Sequence, residues 1–514
     1  MKTSMHSFRS FFSVSAMTLL GRIAGYCREL IMAHWVGISA VTDALLLSLK
    51  FPGFFRRIFS EGALHTSLVP SYKMSPQKKT FSGMIFFSII CIISIFLIVI
   101  LMNFNIVTQW MFNQSNKRIS SSTLYLFSQF APIVFPSILF LTISSFLGSI
   151  ANAHHQFAGF AFSHALVSIM TIVFMMFFSL FSKNYGLIFA WSVLLGCFCQ
   201  TLFIGTECYL KGFLPIPRIP KMTPEIRCFI KRFFLGFLSF SPLHMGSIFT
   251  FWMATKMPDG SISLLNYADR IIQLPTTLIG LSLGSILLPA IVDKIKNNDN
   301  LGANHMLEKA ISIVSLFIFP IAVFLFCFSL PIIQILFGYS KITAHQMNKI
   351  SNVVNIYSCA LPAFVLNRLL VTRFFAQGHM WQPFFANIIT VTIEIMISTC
   401  LVEKLAHKSI PIGVSIGMWI NIITLFLLIK KKYHWNVMRT MGMYFASIFF
   451  SNIMLWLFFQ KLIQKIFFHV SLIGNIQKLI YLFISALLGA MLFFVILIMM
   501  KQTSFKKISS FFKA

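Results

Sequence analysis

Acidic side chains are scarce in this sequence: 12 Asp and Glu stand against 41 Lys and Arg in 514 residues, a formal net charge of +29. That scarcity argues against acid/base catalysis, because no carboxylate pair sits beside a supporting His. Walker loops, nucleophile elbows and HExxH runs are missing too, so a transporter is expected rather than an enzyme. The nine Cys are scattered, with Cys197 and Cys199 the one close pair, which makes neither a disulfide framework nor a zinc site. No metal and no cofactor are expected.

Charge of either sign is sparse. Charged residues are 10% of the chain, where a soluble globular chain has about 25%. With 57% hydrophobic residues and a mean hydropathy of +0.84, the surroundings must be lipid. The first apolar stretch, Phe11 to Gly37, contains Arg22 and Arg28 and has no small-residue cleavage site behind it. It is expected to remain as a span rather than be removed as a signal peptide.

At about 20 apolar residues per crossing, the chain reads as an all-α membrane protein with about fourteen transmembrane helices. Spans 1–6 occupy residues 1–210 and form an N-terminal lobe. A cytoplasmic linker covers 211–232, spans 7–12 cover 233–430, and spans 13–14 with a cytoplasmic tail cover 431–514. The linker is the longest polar stretch and holds Pro215, Pro217, Pro220 and Pro224. It falls where a two-lobe transporter changes lobe. The lobes echo each other: Asp43, Pro52, Gly62 and Leu68-Val69-Pro70 have counterparts in Asp269, Pro275, Gly280 and Leu287-Leu288-Pro289. That order predicts parallel repeats about an axis along the membrane normal.

Orientation follows from the cations, because cytoplasmic loops carry the excess of Lys and Arg. With both termini inside, the inner segments hold 25 of the 41 and the outer loops 11. Arg373 counts among the inner ones. Anionic headgroups explain these short basic loops better than nucleic acid does, so membrane lipids are expected partners and nucleic acid is not.

The remaining cations lie inside spans, where each Arg costs about 2.5–3.5 kcal/mol to insert. Arg22 and Glu29 are seven apart and share a helix face, as do Asp43 and Lys50. Gly21 and Gly25 would let another backbone approach that helix. One reading pairs Arg22 with Glu29, or Arg28 with Asp43, as buried salt bridges. The other notes that Arg22, Arg28, Lys50, Arg56 and Arg57 outnumber Glu29, Asp43 and Glu61, and sees an anion site. Arg suits phosphate because its planar fork makes two parallel hydrogen bonds. Arg270, directly after Asp269, could add a fork from the second lobe or serve in a surface pair with that acid.

The run Gly21-Arg22-Ile23-Ala24-Gly25-Tyr26-Cys27-Arg28-Glu29 and the elements Thr42-Asp43-Ala44, Phe51-Pro52 and Arg56-Arg57-Ile58-Phe59-Ser60-Glu61-Gly62-Ala63 closely resemble the MurJ (MviN) family of lipid II flippases. Tyr267-Ala268-Asp269-Arg270, Gly280 and Leu287-Leu288-Pro289 match that family's second signature. The resemblance implies a transporter of the multidrug/oligosaccharidyl-lipid/polysaccharide exporter superfamily in the bacterial inner membrane. Such proteins carry the undecaprenyl-diphosphate disaccharide pentapeptide outward by alternating access for cell wall synthesis. It further implies that Arg22, Arg28 and Arg270 line a central cationic cavity, with Arg56 an additional basic position. Glu29, Asp43, Glu61, Asp269 and Arg57 become gating or charge partners, and the last two spans a groove for the lipid tail. Lipid II is then the principal partner, peptidoglycan synthases are candidate partners, and the membrane potential is the candidate drive.

The chain departs from that pattern at Glu29, where many relatives have Asp, and at Gly21, where many have Ser. Gln273 replaces an acid seen in some relatives. Span 7 has no carboxylate with which to build the sodium site proposed in some members. The rival readings are an exporter of another polyprenyl-linked saccharide or of drugs, and a lipid-using glycosyltransferase. The second needs a catalytic acid in a large outer loop, and Ile106 to Ser121 and Gln460 to Lys478 contain none.

Overall fold

The structure is a computed structural model that describes residues 2–56, 63–106, 108, 121–154, 156–254, 257–297, 299–377, 379–433, 435, 437–470 and 475–499. Among the described residues every regular element is helical. The first half holds α1 (Lys2–Trp35), α2 (Ala40–Arg56), α3 (Ala63–Met74), α4 (Lys78–Met102), α5 (Ser121–Val134), α6 (Ser137–Ala153), α7 (Phe157–Phe178), α8 (Tyr185–Leu210) and α9 (Pro224–Ala254). The second holds α10 (Ser261–Lys296), α11 (Asn300–Phe337), α12 (Ala344–Phe375), α13 (Trp381–Leu405), α14 (Ser409–Tyr433), α15 (Val437–Val470) and α16 (Asn475–Met499).

Nine segments among the described residues are long and apolar enough to cross a membrane, and one of them, 381–433, comprises the two helices α13 and α14. Two features were not legible as spans. Beyond α2, which contains Pro52, lies a separate short helix, α3. The apolar stretch 121–153 is two helices, α5 and α6, that meet at Phe135 and Pro136, where a proline nitrogen has no hydrogen to bond the preceding turn.

The chain divides into two compact units, Met1–Ser263 with Ser340–Ile342, and Leu264–Tyr339 with Thr343–Ala514. In the first unit, one core joins Met32, Leu45, Phe127, Phe130, Val134 and Phe189 from four helices. A second core joins Leu64 and Leu68 of α3 to Phe146 of α6, Ile204 of α8, and Ile226 and Phe229 of α9. The start of α9 therefore packs in the first unit. Close helix approach depends on missing side chains. A Cβ on Gly21 would lie 3.3 Å from the Ala165 Cα in α7, and one on Gly196 would lie 2.8 Å from the Val167 carbonyl oxygen.

The second unit repeats the device: a Cβ on Gly413 of α14 would lie 2.8 Å from the Glu394 carbonyl oxygen of α13. Its core packs Leu316 and Phe328 of α11 against Leu455 and Phe459 of α15 and Phe493 and Leu497 of α16. Helix α11 bends at Phe328 (φ −104°, ψ 16°), three residues before Pro331. At the bend, Ser329 Oγ and Ser351 Oγ lie 2.7 Å apart. The Asn355 amide nitrogen donates to the Phe326 carbonyl at 2.9 Å.

Candidate anion site and the turn that Asp43 holds

Arg28 and Glu29 are sequence neighbours on α1, pointing about a quarter turn apart, yet the guanidinium bends round so that Nη2 donates to Glu29 Oε1 at 2.9 Å. Glu29 is 4% exposed in its side chain and Arg28 14%. The contact uses one nitrogen rather than the two-pronged fork, and Nε is buried without a hydrogen-bond partner. The guanidinium carbon lies 5.8 Å from the centre of the Phe189 ring, at a distance where the ring face attracts a cation. Arg22, one and a half turns earlier, is exposed, as is Arg56 at the end of α2. The fields of Arg28 and Arg56 both reach the buried Cys197 thiol, so α1, α2 and α8 bring these two cations to one region of the first unit. Arg57 and Glu61 lie outside the described residues.

Asp43 does not pair with Arg28. It is buried in the first turn of α2, where Oδ2 accepts from the Gly260 backbone N–H at 2.6 Å and Oδ1 from that of Ser263 at 2.7 Å. Gly260 takes φ +88°, which favours glycine, and its open side admits Ile38. A carboxylate at the amino end of α10 caps backbone donors that have no partner within the helix and meets the positive end of its dipole. The same turn is held from α5, where Thr123 Oγ1 donates to Asp259 Oδ1 at 2.9 Å. Chain separation hid the contact: Asp43 and Gly260 are 217 positions apart in sequence.

In the second unit, Asp269 of α10 accepts from the Gln273 side-chain amide one turn on, rather than pairing with a surface cation. Arg270 follows it, half-buried. Buried Tyr357 of α12 lies within electrostatic reach of both Asp269 and Glu394. Glu394, buried in α13, escaped the sequence reading; its signal was a lone acid in the apolar run Thr390 to Ile397.

Arg373 differs most from its sequence reading. It is not a loop cation: it is completely buried near the end of α12. Its Nε donates to Asn304 Oδ1 at 3.1 Å and Nη2 to Asn300 Oδ1 at 3.4 Å, and the Tyr433 ring centre lies 4.1 Å from the guanidinium carbon. It ties α11, α12 and α14 together by amides and a ring face, with no ion pair of its own among the described residues.

Comparison with known proteins bears on the family and the fold. The family model described as Lipid II flippase MurJ matches residues 32–478, a stretch that begins just after Arg28. A probable lipid II flippase MurJ from Buchnera aphidicola subsp. Schizaphis graminum is 30% identical over 437 residues, 83% of this chain and 84% of the relative. The lipid II flippase MurJ of Burkholderia cenocepacia is 24% identical over 83% of this chain and 84% of its own. Among solved structures, a lipid II flippase MurJ in an inward closed conformation superposes with a TM-score of 0.78 at 22% identity, covering 93% of this chain and 97% of that one. An inward-facing multidrug resistance MATE transporter of the MOP superfamily superposes with a TM-score of 0.66 at 14% identity, over 80% and 98% of the two chains. With most of its length matched by the family model, this chain belongs to the lipid II flippase MurJ family.

Proposed function

We propose that this chain flips lipid II, the diphosphate-linked disaccharide pentapeptide precursor of peptidoglycan, from the cytoplasmic to the periplasmic leaflet. Family membership over residues 32–478 is the observation that carries this reading. It is joined by a cation in α1 that is engaged at one nitrogen only. Arg22, Arg28, Arg56 and Arg270 are the residues we assign to the diphosphate and headgroup. Glu29 holds Arg28 while the site is empty and yields it when a phosphate presents two oxygens, because two parallel charge-assisted bonds outcompete one.

Asp43 keeps the outer turn at 260–263 closed while the headgroup enters from inside. Opening outward breaks two charge-assisted hydrogen bonds, each worth roughly 1.5–3 kcal/mol, so headgroup binding must supply energy of that order. Asp269 positions Arg270 through Gln273, and Arg57 and Glu61 are assigned as further charge partners. Both termini are placed in the cytoplasm, and peptidoglycan synthases would receive the product outside. The membrane potential acts on an emptied cationic site with about 2.3 kcal/mol per unit charge per 100 mV, in the sense that draws it inward. The MATE-like fold alone does not favour drug export, because sequence identity there is only 14%.

The test is complementation. In bacteria depleted of their own lipid II flippase, the wild-type chain should restore growth and lipid II in the outer leaflet, and Arg28→Ala, inserted at equal abundance, should not. A well-inserted wild-type chain that delivers no lipid II outward refutes the proposal.

A further inference from the structure

The segment from Lys211 to Arg232 carries six cations and one acid, Glu225. Its course is fixed by the start of α4: the Arg218 backbone N–H donates to the Gly83 carbonyl at 3.2 Å, Arg218 Nη1 donates to Thr80 Oγ1 at 3.0 Å, and Gly83 leaves room for the Ile216 carbonyl. The backbone is thus strapped to the first turns of a strongly apolar span. Two of its apolar side chains nevertheless turn away from the protein, Ile219 77% and Met222 70% exposed. On α9 the pattern continues in two adjacent rows. Arg227 and Lys231 are one turn apart, and beside them Ile230 and Phe234, also one turn apart, are 48% and 59% exposed. Met222, Arg227, Ile230, Lys231 and Phe234 line an open groove of about 440 Å3.

Water is a poor occupant for such a groove, since its apolar half gains nothing there. It lies beside the start of α4, where a strongly apolar span begins, the level at which long basic side chains reach headgroups and large apolar ones reach the first acyl carbons. We propose that this groove binds an anionic glycerophospholipid, with Arg227 and Lys231 on the headgroup phosphate and Met222, Ile230 and Phe234 against the upper acyl chains. The charge of the segment selects an anionic headgroup over a zwitterionic one. This site is separate from the assigned lipid II residues and stands whether or not that assignment holds.

A photoreactive phosphatidylglycerol, mixed into nanodiscs with the full chain, should label the peptide 222–234, and the phosphatidylcholine analogue should label it several-fold less. The double variant Arg227→Gln, Lys231→Gln should lose labelling by roughly fivefold for each cation removed. Phe234→Ser should reduce labelling by both lipids while keeping the preference between them. Equal labelling by the two lipids, no labelling of this peptide, or displacement of phosphatidylglycerol by an equal concentration of inorganic phosphate would overturn the proposal. The lipid comparison needs no variant, so a misfolded mutant cannot mask the answer.

Discussion

Arg28 in the first unit and Arg373 in the second both lie in long helices, α1 and α12, and their surroundings are opposite. Arg28 touches a carboxylate at one point, keeps part of its surface open and leaves Nε without a partner. Arg373 is shut off completely, with two Asn oxygens and the face of Tyr433 around it. An open guanidinium opposite a single acid can exchange that acid for a ligand. A closed one held by amides has no route to a ligand and joins helices instead. Arg373 too leaves one nitrogen, Nη1, buried without a partner, so enclosure and the kind of partner, rather than the count of donors used, distinguish the two cations.

The strongest test of this contrast keeps both charges. Arg373→Lys loses the Asn304 bond geometry and the stacking on Tyr433, and should cost about 2–3 kcal/mol. Arg28→Lys still neutralises Glu29 and should change stability by less than about 0.5 kcal/mol, while delivery of lipid II falls at least severalfold. Unfolding midpoints of the purified proteins at one scan rate, beside outer-leaflet lipid II in cells, decide it. Equal destabilisation by the two substitutions would break the contrast.

A middle-sized effect is expected where α1, the helix bearing Arg22 and Arg28, rests on α7. A branched side chain in Gly21→Val meets the Ala165 backbone and should cost about 1–3 kcal/mol. In Gly25→Ala the new methyl sits at 3.6 Å from Ser168 Oγ, an ordinary contact, and should be tolerated. Should both behave alike in unfolding and transport, the seating of α1 does not set the position of Arg28.

The smallest effect concerns the support of Arg373. Asp299 caps α11 just before Asn300 and Asn304, and the Gly302 N–H, then Lys294, hold its carboxyl below the usual carboxylate range. A lowered value means the stabilisation is present above pH 4 or so, the ordinary range, and disappears as pH drops through the lowered value. The gap in unfolding midpoint between wild type and Asp299→Ala should therefore be small at pH 7 and close towards pH 3. A gap that widens with acidification would reverse the assigned sign.

The helical membrane class was legible from the sequence because apolar run length and the lack of acids follow directly from the solvent. The close approach at Gly21 was legible as well. The partner of Asp43 was not, because nothing local marks a contact across 217 residues. Arg373 was misread because a cation at the end of an apolar run looks the same whether it faces a loop or a packed interior. Glu394 was overlooked because a lone carboxylate has no spacing to betray it, and its neighbourhood with Tyr357 exists only after folding.

The bend of α11 at Phe328 sets a limit on how the second unit can change shape. A proline in hydrocarbon strands carbonyl groups on the turn before it. Here Asn355 occupies the Phe326 carbonyl and Ser351 meets Ser329. Straightening the helix would pull the Phe326 carbonyl off its amide donor and part the two serine hydroxyls, with no water to replace them. The bend is therefore a welded elbow: α11 and α12 must travel as one stiff piece, and flexing has to be found at other joints.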